Sequence, residues 1–232
     1  MSQLALPLKL ADHAVFESFW PAGNEALVAY LVNLAEHADG PGCWLWGAAA
    51  SGRSHLLQAA CARRGDRAVY LPLGALEGRT PALLEGIALR SFVCLDDIGR
   101  VTGHRDWEHA LFDLCNQLAD GGGTLLVAAD APPRDSGIVL PDLLSRLALL
   151  PAFRVRALGE ADRIRALQLR ARHRGLELPH DTARFLLSRS RRDMASLYAL
   201  LDRLDAAALQ AQRRLTIPFV RSIVDAGRAA GE

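Results

Sequence analysis

Short apolar runs alternate with helical stretches through the first two thirds of the chain, and this alternation restricts the fold more than any single residue does. Cys43–Trp46, Ala68–Leu73, Ser91–Ile98 and Thr124–Ala129 are runs of strand length. Ala26–Ala38, Leu56–Arg63 and Trp107–Leu118, which lie between or before them, carry apolar residues at three- and four-residue spacing. Nearly continuous apolar strands joined by amphipathic helices predict a parallel sheet with crossover helices, an α/β core. After about residue 156 the strand signals stop. Ala161–His173, Asp181–Ser188, Asp193–Ala211 and Ile217–Ala226 all have helical spacing, with Pro179 and Pro218 as punctuation. Charge changes at the same place, from −4 over residues 1–156 to +5 over 157–232. The predicted organisation is an extended segment over 1–12, an α/β domain over 13–156 and a small helical domain over 157–232.

The 232 residues are 50% hydrophobic and carry a formal charge of +1, which is enough for a real core and too little charge to drive the whole chain onto nucleic acid or an anionic membrane. No apolar run approaches the roughly 18 residues of a membrane span, and no basic segment precedes the leucines at the N-terminus as in a secretory signal. Cys43, Cys61, Cys94 and Cys115 are far apart, with no C-x-x-C pair. They are expected to be reduced, buried thiols of a cytoplasmic protein. Lys9 is the only lysine among 27 basic residues.

Gly47-Ala-Ala-Ala-Ser-Gly52-Arg53-Ser54 lies between a predicted strand and a predicted helix. This is the setting of a phosphate-binding loop, whose backbone N–H groups and helix N-terminus cradle phosphate oxygens. Glycine is needed where the chain turns tightly or approaches the ligand closely, and the Ser54 hydroxyl is a candidate Mg²⁺ ligand. Arg53 stands where the motif has lysine. Its planar fork is bulkier than an ammonium, so binding can persist while hydrolysis weakens. Forty-two residues beyond Ser54, the run Phe92-Val-Cys-Leu ends in Asp96-Asp97. Carboxylates at the end of a central strand lie beside the loop's mouth, one for the metal shell and one to orient water. The bland alternatives are a ligand-free strand-to-helix loop and a chance pair of acids.

Taken together, GxxxxGRSH, FVCLDDI, Ala129-Asp130-Ala-Pro-Pro-Arg134 and Leu140-Pro-Asp-Leu-Leu-Ser-Arg146-Leu resemble the AAA+ ATPases, in particular the lineage of the replication initiator DnaA and its regulatory relatives. The resemblance covers nearly the whole chain. It implies a Walker A element at Gly47, Gly52, Arg53, Ser54 and His55, and a Walker B pair at Asp96 (with Ser54, the Mg²⁺ ligands) and Asp97. It further implies a sensor at Asp130 and an arginine finger at Arg146, set after an apolar helix and acting in trans on another protomer's nucleotide. Phe16–Asn24 resembles the box that walls the adenine, with Phe19, Trp20 and Asn24 as contacts; the bland alternative is core aromatics. The family's sensor 2 arginine falls on Ala195, which leaves Arg191 or Arg192 as substitutes, Arg192 being the candidate for contact with nucleotide. Gln3, Leu4, Leu6, Pro7 and Leu8 resemble a sliding-clamp-binding motif: an amide and two apolar anchors on a segment that Pro7 keeps extended.

The implied protein holds ADP or ATP, with Mg²⁺ where present, and binds both DnaA and the polymerase sliding clamp. It promotes hydrolysis of DnaA-bound ATP by lending Arg146, and so restrains bacterial replication initiation with weak or no ATPase activity of its own. The competing reading is a self-sufficient AAA+ ATPase of loader or motor type. No base-reading module follows the helical region, so sequence-specific DNA binding is not expected. A homodimer is among the assemblies left open.

Overall fold

The computed structural model describes residues 14–37, 40–76, 78–189 and 194–229. The chain divides into two compact units. The first holds Gly23–Ala157 and the described residues up to Phe16; the second holds Glu17–Ala22 and the chain from Leu158 onward. The segment Gln3–Leu8 and the arginines at 191 and 192 lie outside the described residues.

The first unit runs α1 (Glu25–His37), β1 (Gly42–Trp46), α2 (Arg53–Arg64), β2 (Ala68–Pro72), β3 (Phe92–Asp96), α3 (Arg105–Asp120), β4 (Thr124–Ala129), α4 (Pro141–Leu147) and β5 (Ala152–Arg154). The five strands form one parallel sheet in the order β2-β3-β4-β1-β5. The registers Cys43↔Leu126 and Cys94↔Leu126 set β1 and β3 on either side of β4. Alternation along each strand divides the core into two layers. Trp44, Val93, Leu95, Leu125, Val127 and Ala129 join the apolar face of α3 (Trp107, Leu111, Leu114, Leu118) and the buried Leu143 and Leu147 of α4. The alternate residues Cys43, Leu45, Phe92, Cys94, Leu126 and Ala128 are equally buried, and α2 packs against β3 and β4 with α1 alongside. All four cysteines are free and buried.

Two differences from the sequence reading concern short elements. β5 pairs with β1 through Trp44↔Ala152 and Trp46↔Arg154, yet only three residues are strand and two of them are exposed. An edge strand that short carries no periodic signal. The apolar run at 91–98 is strand only to Asp96. Asp97 turns left-handed (φ 55°), and Ile98–Arg100 form a 3-10 turn.

The second unit is helical: α5 (Glu160–His173), α6 (His180–Arg189), α7 (Met194–Ala211) and α8 (Ile217–Ala229). Ile164, Leu167, Leu186, Leu187, Leu197, Leu201, Leu204, Leu215 and Val220 form its separate core. Arg170, 3% exposed, is stacked over the Tyr198 ring at 4.1 Å and paired with Asp202 at 3.4 Å. Burial of an arginine is tolerated when aromatic and carboxylate partners replace its water.

Candidate nucleotide-binding site

Residues 47–52 connect β1 to α2 as a tight loop whose conformation depends on its glycines. A Cβ on Gly47 would stand 2.6 Å from the Val155 carbonyl oxygen, so only hydrogen fits between the loop and the chain leaving β5. Gly52 caps α2 at φ 104°, a left-handed value that side chains rarely adopt, and no side chain caps the helix. The first-turn N–H groups of α2 are thereby left for an anion.

Arg53 begins α2 and turns inward. It is 8% exposed, and its Nη2 donates to Asp130 Oδ1 at 2.6 Å. Asp130 follows β4, and Trp44 Nε1 anchors the next residue by donating to the Ala131 carbonyl at 3.0 Å. Two polar atoms at this loop, Arg53 Nη1 and Ser51 Oγ, are buried without a hydrogen-bond partner. Unsatisfied buried donors are costly, and phosphate oxygens fit the deficit. The residues present therefore suit a nucleotide phosphate.

Asp96 is 2% exposed at the end of β3. Its Oδ2 accepts from Tyr70 Oη at 2.6 Å, Gln58 Nε2 donates to the same Tyr70 oxygen at 3.1 Å, and Asp96 Oδ1 accepts from the Asp97 N–H at 3.0 Å. Burial, then the charge of Asp96, pushes the Tyr70 hydroxyl far above the ordinary tyrosine value, so it remains a donor. Ser54 and Asp96 are the residues that would hold a Mg²⁺ ion, which would take its other ligands from phosphate and water. Asp97 is exposed as a residue, but partial loss of water around its carboxyl and then the charge of Asp96 push it up, while Arg53 pulls it down. The loop thus brings Arg53, Asp96, Asp97 and Asp130 into one electrostatic cluster.

The other candidates are placed differently. His55 Nε2 stands 2.9 Å from the Val15 carbonyl oxygen, a bond it donates as the Nε2–H tautomer, so its ring ties α2 to the segment before α1. Asn24, 4% exposed, donates to the Arg156 carbonyl at 3.1 Å and accepts from the Arg156 N–H at 2.8 Å. Both ends of its amide thus bond to the Arg156 backbone. Gly23–Leu27, Ala48 and Ala152–Ala157 line a cavity of about 770 Å³ beside the start of the loop. Phe19 and Trp20 belong to the second unit, where Trp20 Nε1 donates to Asp162 Oδ1 at 3.1 Å and Arg165 lies over its ring. Arg146 sits in the last turn of α4, not beyond it; its side chain is exposed and has no hydrogen bond or ion pair among the described residues. Ala195 lies in the first turn of α7.

Sequence reasoning missed Tyr70, Gln58 and the Arg156 backbone. The first two are unremarkable residues of a strand and a helix, and a backbone partner has no sequence signal at all.

A five-stranded parallel sheet with a glycine-containing strand-to-helix loop after β1, paired acids after β3 and a separate helical unit make up an AAA+ fold. Residues 160–224 match the family model of the Hda lid domain. The fold is shared with domain III of the replication initiation protein DnaA from Thermotoga maritima, at a TM-score of 0.77 and 19% identity over 94% of this chain and 98% of that one. AMPPCP-bound DnaA from Aquifex aeolicus matches at 0.67 and 20% identity, over 83% of this chain and 65% of that chain. The RuvB branch migration motor of Thermotoga maritima matches at 0.62 and 15%, over 87% of this chain and 67% of that one. More narrowly, the chain has the fold of DnaA domain III, and its C-terminal region matches the Hda lid-domain model. No described helix is long and apolar enough to cross a membrane.

Proposed function

We propose that this protein is a cytoplasmic negative regulator of bacterial replication initiation, one that holds ADP on its own phosphate loop and lends Arg146 to ATP held by DnaA. The observation that carries the regulatory reading is the match of residues 160–224 to the Hda lid domain. For nucleotide, the support is the buried and half-satisfied Arg53 beside an uncapped helix N-terminus.

Within this reading, Gly47 and Gly52 shape the cradle, Arg53 and Ser54 contact phosphates, and Asp96 with Ser54 holds any Mg²⁺. Asp97 and Asp130 complete the polar wall, while His55 and Asn24 act through the backbone they secure. Phe19, Trp20 and Arg192 are the nucleotide contacts contributed by the flanking segments. Gln3, Leu4, Leu6, Pro7 and Leu8 dock the chain on the sliding clamp. Phosphoryl transfer is catalysed largely by positioning and charge stabilisation, and an arginine supplied in trans is worth roughly 10³–10⁵ in rate in GTPase systems. Arg146 suits that role because it is a permanently charged fork, exposed on a helix that Leu143 and Leu147 seat in the core.

The test measures conversion of DnaA-bound ATP to ADP with DNA-loaded clamp and this protein. The wild-type chain is expected to stimulate conversion, and Arg146→Ala to abolish stimulation while still binding ADP and clamp. Equal stimulation by both forms would overturn the finger assignment. Multiple-turnover hydrolysis by the isolated chain, with no effect on DnaA, would favour the self-sufficient ATPase.

A further inference from the structure

Glu108 accepts hydrogen bonds from three backbone N–H groups and has no part in the nucleotide site. It lies in the first turn of α3 and is 1% exposed. Its Oε1 accepts from the N–H of Gly103 at 2.7 Å and of Val139 at 3.0 Å. Its Oε2 accepts from Val139 at 3.1 Å and Leu140 at 2.6 Å. A carboxylate buried this deeply would be expensive without partners, and three backbone donors offset that cost.

The bonded donors are informative because of where they lie. Leu140 is the N-cap residue of α4, Pro141 follows it without an N–H, and no side chain of α4 caps the helix. Glu108 therefore supplies from α3 the anionic cap that α4 lacks. α4 has only seven residues, too few to be stable alone, so its orientation depends on what secures it. Leu143 and Leu147 anchor its side, Glu108 anchors its start, and Arg146 projects from the remaining face. A second tether runs in parallel, from Thr102 Oγ1 to the Ser136 carbonyl at 3.1 Å.

We propose that Glu108 is a positioning residue for Arg146: its carboxylate fixes the N-terminus of α4 and thereby aims the guanidinium. The proposal rests on Arg146 acting in trans on DnaA-bound ATP. Glu108→Gln keeps the shape but replaces one acceptor oxygen by a donor that faces N–H groups, so the cap fails without leaving a cavity. A misplacement of about 1 Å can cost about 10²-fold in rate.

The assay is conversion of DnaA-bound ATP with loaded clamp, titrated with this protein, together with hydrogen exchange at the amides of Val139 and Leu140. For Glu108→Gln we expect faster exchange at both amides and a maximal rate reduced at least about tenfold. The half-saturating concentration should stay within about threefold of wild type, because docking itself is intact. Loss of the tether with an undiminished maximal rate would overturn the proposal. So would a loss confined to the half-saturating concentration, which marks a docking role instead. If Glu108→Gln does not fold, Glu108→Asp keeps the charge one methylene short and is held to the same criteria. Full stimulation by Arg146→Ala would overturn the finger reading itself, whereas an inactive Arg146→Ala beside a fully active Glu108→Gln would overturn only the role of Glu108.

Discussion

At the scale of single residues, the loop after β1 lies in a cluster of charges that the protein has not fully neutralised. Arg53 is paired to one of three nearby carboxylates, Asp130, and Asp97 carries the consequence. Burial first, then the charges of Asp96 and Asp130, lift the Asp97 carboxyl above its ordinary value against the pull of Arg53 and Arg100. A raised value in the folded state means the folded protein holds that proton more tightly than the unfolded chain. Asp97 therefore costs stability at neutral pH, and the cost lapses as pH falls through the raised value towards about pH 4. Its backbone is also left-handed at φ 55°, a conformation asparagine tolerates well. Asp97→Asn is expected to melt higher than wild type at pH 7, the difference closing as the solution is acidified to about pH 4. Thermal scans across that range check it, and an Asn variant that melts lower at pH 7 would contradict the charge argument.

Two joints decide how the elements meet around the site. The loop after β1 passes so close to Val155 that Gly47→Ala must move backbone. We expect it to lose about 1–3 kcal/mol of stability and most nucleotide affinity, measured by chemical denaturation and by binding of a fluorescent ADP. Across the cavity, Asn24 clips the start of α1 to the backbone following β5 through both ends of its amide. Asn24→Ala leaves the Arg156 N–H and carbonyl without these partners, and a loss of about 2 kcal/mol is expected. Asn24→Asp keeps only the acceptor and should retain part of that stability. Identical denaturation curves for Asn24→Ala and wild type would show that the clip is dispensable.

For the whole molecule, the two units have separate cores, and the phosphate loop belongs to the α/β one. A ligand bound only by folded protein stabilises by mass action, about 2.7 kcal/mol at a hundredfold excess over Kd. Nucleotide-free protein should therefore melt higher as ADP is added. No shift at millimolar ADP would remove the nucleotide reading, and Gly47→Ala serves as the matched control. Leu149 (83% exposed) and Val139 (63%) lie on either side of Arg146 in the sequence.

The α/β core, the helical C-terminal region, the glycine-containing strand-to-helix loop and the acids that end β3 were all legible in the sequence, because each depends on local chemistry. Period and length distinguish a buried strand from an amphipathic helix. Gly47, Gly52 and Ser54 stand at fixed offsets, and Asp96-Asp97 end an apolar run. What only the tertiary structure decided are the long-range pairings. Arg53 meets Asp130 across 77 positions, Tyr70 holds Asp96 across 26, and Glu108 reaches Leu140 across 32. Asn24 and His55, expected as ligand contacts by position, bond to the backbone of Arg156 and Val15. Their partners are peptide groups, which every residue carries alike. Only the folded chain determines which of those groups comes within about 3 Å of a given side chain.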